Sequence, residues 1–348
     1  MTVEPQAHAS PTTGKPSAAK AGRLPGLEAL RFVAALCVLL LHARAVYGGR
    51  LVFARGYLGV DFFLMLSGYL MARTQEARLA SGVTRPVRFM VNRYKRLWPT
   101  MAMGGLLGLP RLVYHSASAL SAAGIAIANL LLIPLPLSFF LFPLNIPAWT
   151  IFFEMVANTL HVTLFWRFSR WLLIGALLIL LPVDVWIAKT YGGLDVGAKG
   201  ETFLVGLPRV AFAYLIGIAL YRWWRDRPPV AIPPVLAIAV MPVLLAAGWW
   251  LGWQDWRFDL AFVLIVCPLM IAGALRLAPD SRLAGVSALV GQLSFPLFAL
   301  QMPILEGLRE FQRNIWVGGG AALAVGILGA VVTAWNKRRK DARKAMPG

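Results

Sequence analysis

The sequence predicts an all-α, polytopic integral membrane protein of about ten transmembrane helices, with both termini in the cytoplasm. Three observations carry that expectation. The 348-residue chain is 59% hydrophobic with a mean hydropathy of +0.68, too apolar for a soluble globular domain. Its apolar residues fall in runs of the length a bilayer requires, about 20 residues each. Its cations, 34 Lys and Arg against 15 Asp and Glu for a net charge of +19, gather in clusters between alternate runs. That is the positive-inside pattern, and it explains the basic balance without nucleic acid. Cys37 and Cys267 lie within apolar runs and read as small core hydrophobes. No metal-ligand spacing occurs.

Residues 1–23 are rich in Ala, Ser, Pro, Thr and Lys and read as a disordered cytoplasmic tail. Helix one covers about 27–47, LEALRFVAALCVLLLHARAVY. Its apolar run and polar preface are too long for a cleaved signal peptide. Helix two, about 57–73, follows an outer connection with Gly48, Gly49 and Gly56. A basic loop then carries Arg73, Arg78, Arg85, Arg88, Arg93, Lys95 and Arg96 against one acid, Glu76, and marks the cytoplasmic side. Helix three is about 98–114. The stretch 118–142 is apolar but broken by Pro134 and Pro136. If it spanned, every later basic cluster would fall on the outer side, so it is expected as an outer interfacial or re-entrant segment. Helix four runs from Trp149 towards Arg167 and Arg170. Helices five to ten follow at about 171–188, 207–222, 231–251, 258–275, 286–305 and 315–335, and a basic cytoplasmic tail occupies 336–348. Residues 24–335 thus form one transmembrane domain. It contains no convincing internal repeat. Gly318, Gly319 and Gly320, with Ala321 and Ala322, suggest close helix contact in helix ten.

Several polar residues interrupt the apolar runs, and each is costly at membrane depth. Arg31 and His42 stand 11 positions apart. At about 100° per residue that is three turns plus about 20°, so they share a helix face, roughly 16 Å apart along the axis. His42 reads either as a core histidine or as a general base that takes a hydroxyl proton. Asp61, near the outer end of helix two, reads as an acid that orients His42 or pairs with an arginine. Ser67 with Gly68 reads more simply as a helix contact than as a nucleophile. Arg93 and Arg96, at i and i+3, share a face and suit phosphate oxygens, or serve topology and anionic lipid headgroups. Trp149 reads as an outer-interface anchor. Glu154 needs a partner or a water-filled cavity, and Arg209 on the same side is the simplest partner.

Taken in order, LEALRFVAALCVLLLHA, GYLGVDFFLMLSGYLMA, RYKRLWPT, AWTIFFEM, LPRVAFAYLIG and LSFPLFALQMP resemble membrane acyltransferase family three. That group includes bacterial O-antigen and exopolysaccharide O-acyltransferases. The resemblance covers roughly 24–335. It implies an acyl-CoA donor, usually acetyl-CoA, entering from the cytoplasm as co-substrate, with no permanently bound cofactor. It implies His42 as the essential residue, with Arg31 in the same motif, Arg93 and Arg96 on the donor side, and Trp149 and Glu154 in the family's Trp–Glu segment. One departure stands out: Gln301 occupies a position near Pro303 where the family commonly has histidine.

The expectation is therefore a membrane O-acyltransferase of a bacterial inner membrane. His42 acts as base or acyl carrier, with Arg31, Asp61 and Glu154 in the catalytic set and Trp149, Arg209 and Ser67 towards the substrate. Its partners are a glycan or lipid-linked sugar acceptor and membrane lipids. The main rival is a transporter with Asp61, Glu154 and Arg209 lining the path. A lipid-binding scaffold is a third reading, and it gives His42 no role.

Overall fold

The computed structural model describes residues 24–345 except Leu51, Ala117 and Asp280, with side chains as far as residue 332. The expected tail 1–23, with His8, lies outside the described residues, as do 346–348. Helices form at all ten expected positions, and a short extra helix lies in 118–142. They are α1 (Pro25–Tyr47), α2 (Leu58–Ala80), α3 (Pro86–His115), α4 (Ala119–Leu130), α5 (Ala148–Thr163), α6 (Arg170–Tyr191), α7 (Phe203–Trp224), α8 (Pro234–Trp250), α9 (Trp256–Ala261), α10 (Cys267–Ala274), α11 (Arg282–Arg309) and α12 (Ile315–Ala345). A π-helical segment, Phe262–Val266, joins α9 and α10 into one rod. Six helical segments are long and apolar enough to cross a membrane: Pro25–Tyr47, Arg170–Tyr191, Gly200–Trp224, Trp256–Ala274, Arg282–Arg309 and Ile315–Val332. The chain is thus a multi-pass membrane protein. Among the described residues there is no β-strand, only an isolated bridge between Phe140 and Lys199.

The helix starts follow local chemistry. Pro25 and Pro86 open α1 and α3, where a missing N–H leaves nothing unpaired. Ser118, Ser169 and Ser281 cap α4, α6 and α11 by accepting a backbone N–H in the first turn.

Three expectations are corrected. The basic loop is mostly helical: Arg73 and Arg78 end α2, Arg88 to Arg96 begin α3, and only 81–85 turn. Arginine and lysine are good helix formers, so a break in hydropathy is not a break in the helix. Second, the basic segment after 335 continues α12 through Ala345. Third, the small-residue stretch 318–322 packs only in part: Gly318 meets the Tyr47 ring and Ala322 is fully buried, whereas Gly319 and Gly320 meet no neighbour among the described residues. The stretch 118–142, expected as an outer interfacial or re-entrant segment, folds back along α3. Trp98 Nε1 donates to Leu130 O (2.8 Å) and Tyr94 Oη to Leu131 O (3.3 Å). Trp98 lies 17 residues before the end of α3, so the chain folds back by about 25 Å along it before returning to α5.

The core has two long seams. α1 runs parallel to α11, with Glu28 beside Gly291 and Arg309 Nε donating to Val46 O at 3.2 Å. α2 runs parallel to α7, where Gly68 lies against Tyr214 O and Gly217 against Met65 O. α5 closes the side between α2 and α3.

Candidate functional site

A cavity of roughly 340 Å³ lies among α1, α2, α3, α5 and α11. Arg31, Arg93, Arg96, Glu154 and Ser67 all line it, so five of the sequence-derived residues converge. Each helix brings its residue by register. The parallel α1–α11 seam sets Arg31 opposite Ser294, which also lines the cavity. α3 turns Arg93 and Arg96 to one face, and α5 brings Glu154 between them and α2.

Glu154 accepts from Ser67 Oγ at 2.9 Å and pairs with the Arg93 guanidinium. The expected Glu154–Arg209 pair does not form. Three guanidiniums face one carboxylate here, a net charge of +2. The remaining wall is largely apolar, including Phe63, Phe89, Phe295 and Phe298. A cation-rich, mostly apolar cavity suits an anion with a long, weakly polar arm.

Asp61 and Arg209 lie elsewhere. Arg209 Nε and Nη2 donate to Asp61 Oδ1 (2.9 Å) and Oδ2 (2.7 Å), Nη1 donates to Val196 O (2.7 Å), and both side chains are essentially unexposed. Both Asp61 oxygens are thus engaged by the guanidinium fork, so Asp61 does not orient His42. Of the three residues assigned to a transport path, only Glu154 lines the cavity. Trp149 is also buried, with the Arg209 guanidinium 5.7 Å from its ring and Phe153 edge-on at 5.8 Å. It is therefore not an exposed interface anchor. Its α5 neighbours Thr150 and Ile151 reach the cavity in its place.

His42 is half-buried and is not among the lining residues. It stands three turns further along the face of α1 that carries Arg31. Its Nδ1 is buried without a hydrogen-bond partner. Gln301 is fully buried, with neither side-chain polar atom paired. Of the other histidines, His161 is fully buried 3.8 Å from Glu76, and His115 lies 3.6 Å from Glu310.

Sequence reasoning missed Thr150, Ser294 and Phe298 in the cavity wall. Nothing in a lone threonine, serine or phenylalanine marks it out. It also missed a buried cluster on the other side of the molecule: Arg55 pairs with Asp259 at 2.8 Å, and Tyr57 Oη and the Leu194 N–H both donate to Asp259 Oδ2 at 2.7 Å. An aspartate at the start of an apolar run was the available signal.

Fold and site together define a multi-pass helical membrane protein with a cationic internal cavity. A family model described as an acyltransferase domain, acyltransferase family 3, matches residues 24–335, and the chain belongs to that family. It is 24% identical over 310 residues to the exopolysaccharide production protein ExoZ of Rhizobium meliloti (strain 1021), covering 83% of this chain and 89% of that protein. It is 30% identical over 152 residues to protein 2 in the picA locus of Rhizobium radiobacter, covering 39% of this chain and 78% of that protein. No solved structure matches.

Proposed function

We propose that the chain spans a bacterial inner membrane about ten times, with both termini in the cytoplasm. In that membrane it transfers an acyl group, acetyl in the first instance, from acyl-CoA to a hydroxyl of an exopolysaccharide or its lipid-linked precursor. The observation that carries this reading is the convergence of Arg31, Arg93 and Arg96 on one cavity, three turns below His42 on the same face of α1. Family membership supports acyl transfer, and the likeness to an exopolysaccharide production protein supports a glycan acceptor.

In this reading the donor's 5′-diphosphate binds at the Arg31, Arg93 and Arg96 guanidiniums. The thioester arm extends along α1 towards His42, a span of roughly 16 Å. Neutral His42 takes the proton of the acceptor hydroxyl, whose oxygen attacks the thioester carbonyl. The new O–C bond forms, the C–S bond breaks, and the proton passes from the imidazolium to the departing thiolate. Glu154, tied to Ser67 and Arg93, holds the Arg93 fork in place. The sealed Asp61–Arg209 pair counts against the transporter alternative, because neither residue lines the cavity.

The test uses membranes containing wild type or His42→Ala at matched expression, with labelled acetyl-CoA and label followed into extractable glycan and free CoA. Wild-type transfer that falls about 10²–10⁴-fold in the variant is the expected result. Equal labelling removes His42 from the mechanism. No labelling by the wild type removes acetyl-CoA as donor and returns weight to transport.

A further inference from the structure

The arginines at the junction of α2 and α3 are not used alike. Arg73 pairs with Asp226 and Arg93 with Glu154. Among the described residues, Arg78, Arg85 and Arg88 make no ion pair with a carboxylate. These three line a second cavity, of roughly 580 Å³, at the elbow between the two helices, with Gln75, Thr84 and Asn92 beside them and no acid in its wall. The first cavity and this one share Gln75 and Phe89, so they adjoin.

The elbow is a built structure. Thr84 N–H donates to Arg78 O at 2.9 Å, Arg78 Nε to Thr84 Oγ1 at 3.3 Å, and Thr84 Oγ1 to Gln75 Oε1 at 3.2 Å. Gly82, at φ +70°, makes the turn. Arg88 lies in the first turn of α3, which carries no acid there, so the helix dipole adds to the positive field.

The two cavities divide chemically. The inner one is amphiphilic and, at about 340 Å³, lies at the small end for a drug-sized ligand. The elbow is polar and carries a charge of +3. A ligand that fills both has a long, weakly polar arm and a separate, densely anionic end. A dianionic phosphomonoester is the match for three guanidiniums that have no carboxylate partner among the described residues.

We propose that the α2–α3 elbow is a phosphomonoester site: Arg78, Arg85 and Arg88 hold the 3′-phosphate at the nucleotide end of the donor, while its arm passes Gln75 and Phe89 into the Arg31–Arg93–Arg96 cavity. This rests on the acyl-CoA reading above. An anionic lipid headgroup offers the same phosphate chemistry, and the test separates the two.

Purified protein in nanodiscs of zwitterionic lipid is titrated with adenosine 3′,5′-bisphosphate and with adenosine 5′-monophosphate. The wild type is expected to bind the bisphosphate about 10- to 100-fold more tightly, as charge-assisted hydrogen bonds imply, and added salt should narrow the gap. The Arg78→Gln/Arg85→Gln/Arg88→Gln variant should lose the preference and keep the weaker monophosphate binding. Equal binding of both nucleotides by the wild type overturns the proposal without any variant. A preference that survives in the variant overturns its assignment to these arginines. If the wild type shows no preference, but the triple substitution abolishes a stimulation of activity by phosphatidylglycerol, the site belongs to lipid. Acetyl transfer is then compared with acetyl-CoA and acetyl-dephospho-CoA. Equal KM for the two donors sinks this site and leaves the acyltransferase reading intact. Bisphosphate preference without any acetyl transfer does the reverse.

Discussion

The buried Asp61–Arg209 pair shows how one interaction decides what a residue is for. Both groups are out of water, and the guanidinium satisfies both carboxylate oxygens, a backbone carbonyl and the Trp149 face. Removing one partner strands the other charge in a low-dielectric interior, at a cost of about 3–5 kcal/mol. Asp61→Asn and Arg209→Leu are therefore expected to lower thermal stability in detergent, read as the fraction that stays monodisperse after heating. Arg209→Lys should fail as well, because an ammonium lacks the fork that spans both oxygens. Asp61→Leu/Arg209→Leu should cost less than either single change, since no charge is orphaned. Single variants with wild-type stability but no acyl transfer would instead place the pair in substrate handling.

At the scale of elements, the α2–α7 seam fixes the cavity wall. A Cβ at Gly217 would stand 1.9 Å from Met65 O, and one at Gly68 2.1 Å from Tyr214 O. These neighbours are backbone and cannot rotate away. Gly217→Ala and Gly68→Ala are expected to push the helices apart, to shift Ser67 from Glu154, and to lose more than the 1–3 kcal/mol typical of overpacking. Gly124→Ala, with open space at its Cβ in α4, should be neutral or gain about 0.5–1 kcal/mol in helix propensity. Heat-challenged yield of folded protein separates the two cases. The helices themselves were legible, because apolar runs and proline or serine starts are local signals. Their ends were less so: hydropathy stops at Arg96, whereas backbone hydrogen bonds continue to Pro86. Pairing was legible only in part. Glu154 meets Arg93 rather than Arg209, whereas Asp61 takes an arginine, one of its two expected partners, and which arginine depends on the register between helices distant along the chain, which leaves no local signal. Arg31, Arg93 and Arg96 could be found from spacing, whereas Ser294 and Phe298 could not.

At the scale of the molecule, the chain is apolar outside as well as inside, with Trp171, Leu178, Ile179, Leu236, Val243 and Leu328 all exposed. In water such surface would drive association; in a bilayer it faces lipid. Both proposals need this envelope to sit one way up. The α2–α3 elbow, with the cavity beside it, must open to the cytoplasm, where acyl-CoA is found, and the α1–α2 connection must face outward. The native cysteines give a silent background for testing this, since Cys37 and Cys267 are buried. Arg50→Cys and Ser81→Cys place thiols at exposed positions of the two connections. A membrane-impermeant maleimide is expected to label Arg50→Cys in intact spheroplasts, and Ser81→Cys only after permeabilisation. The opposite pattern would turn Arg78, Arg85, Arg88, Arg93 and Arg96 away from the donor. The cavity would then still bind anions, but it would receive them from outside, and acyl transfer from a cytoplasmic thioester would have no route through this fold.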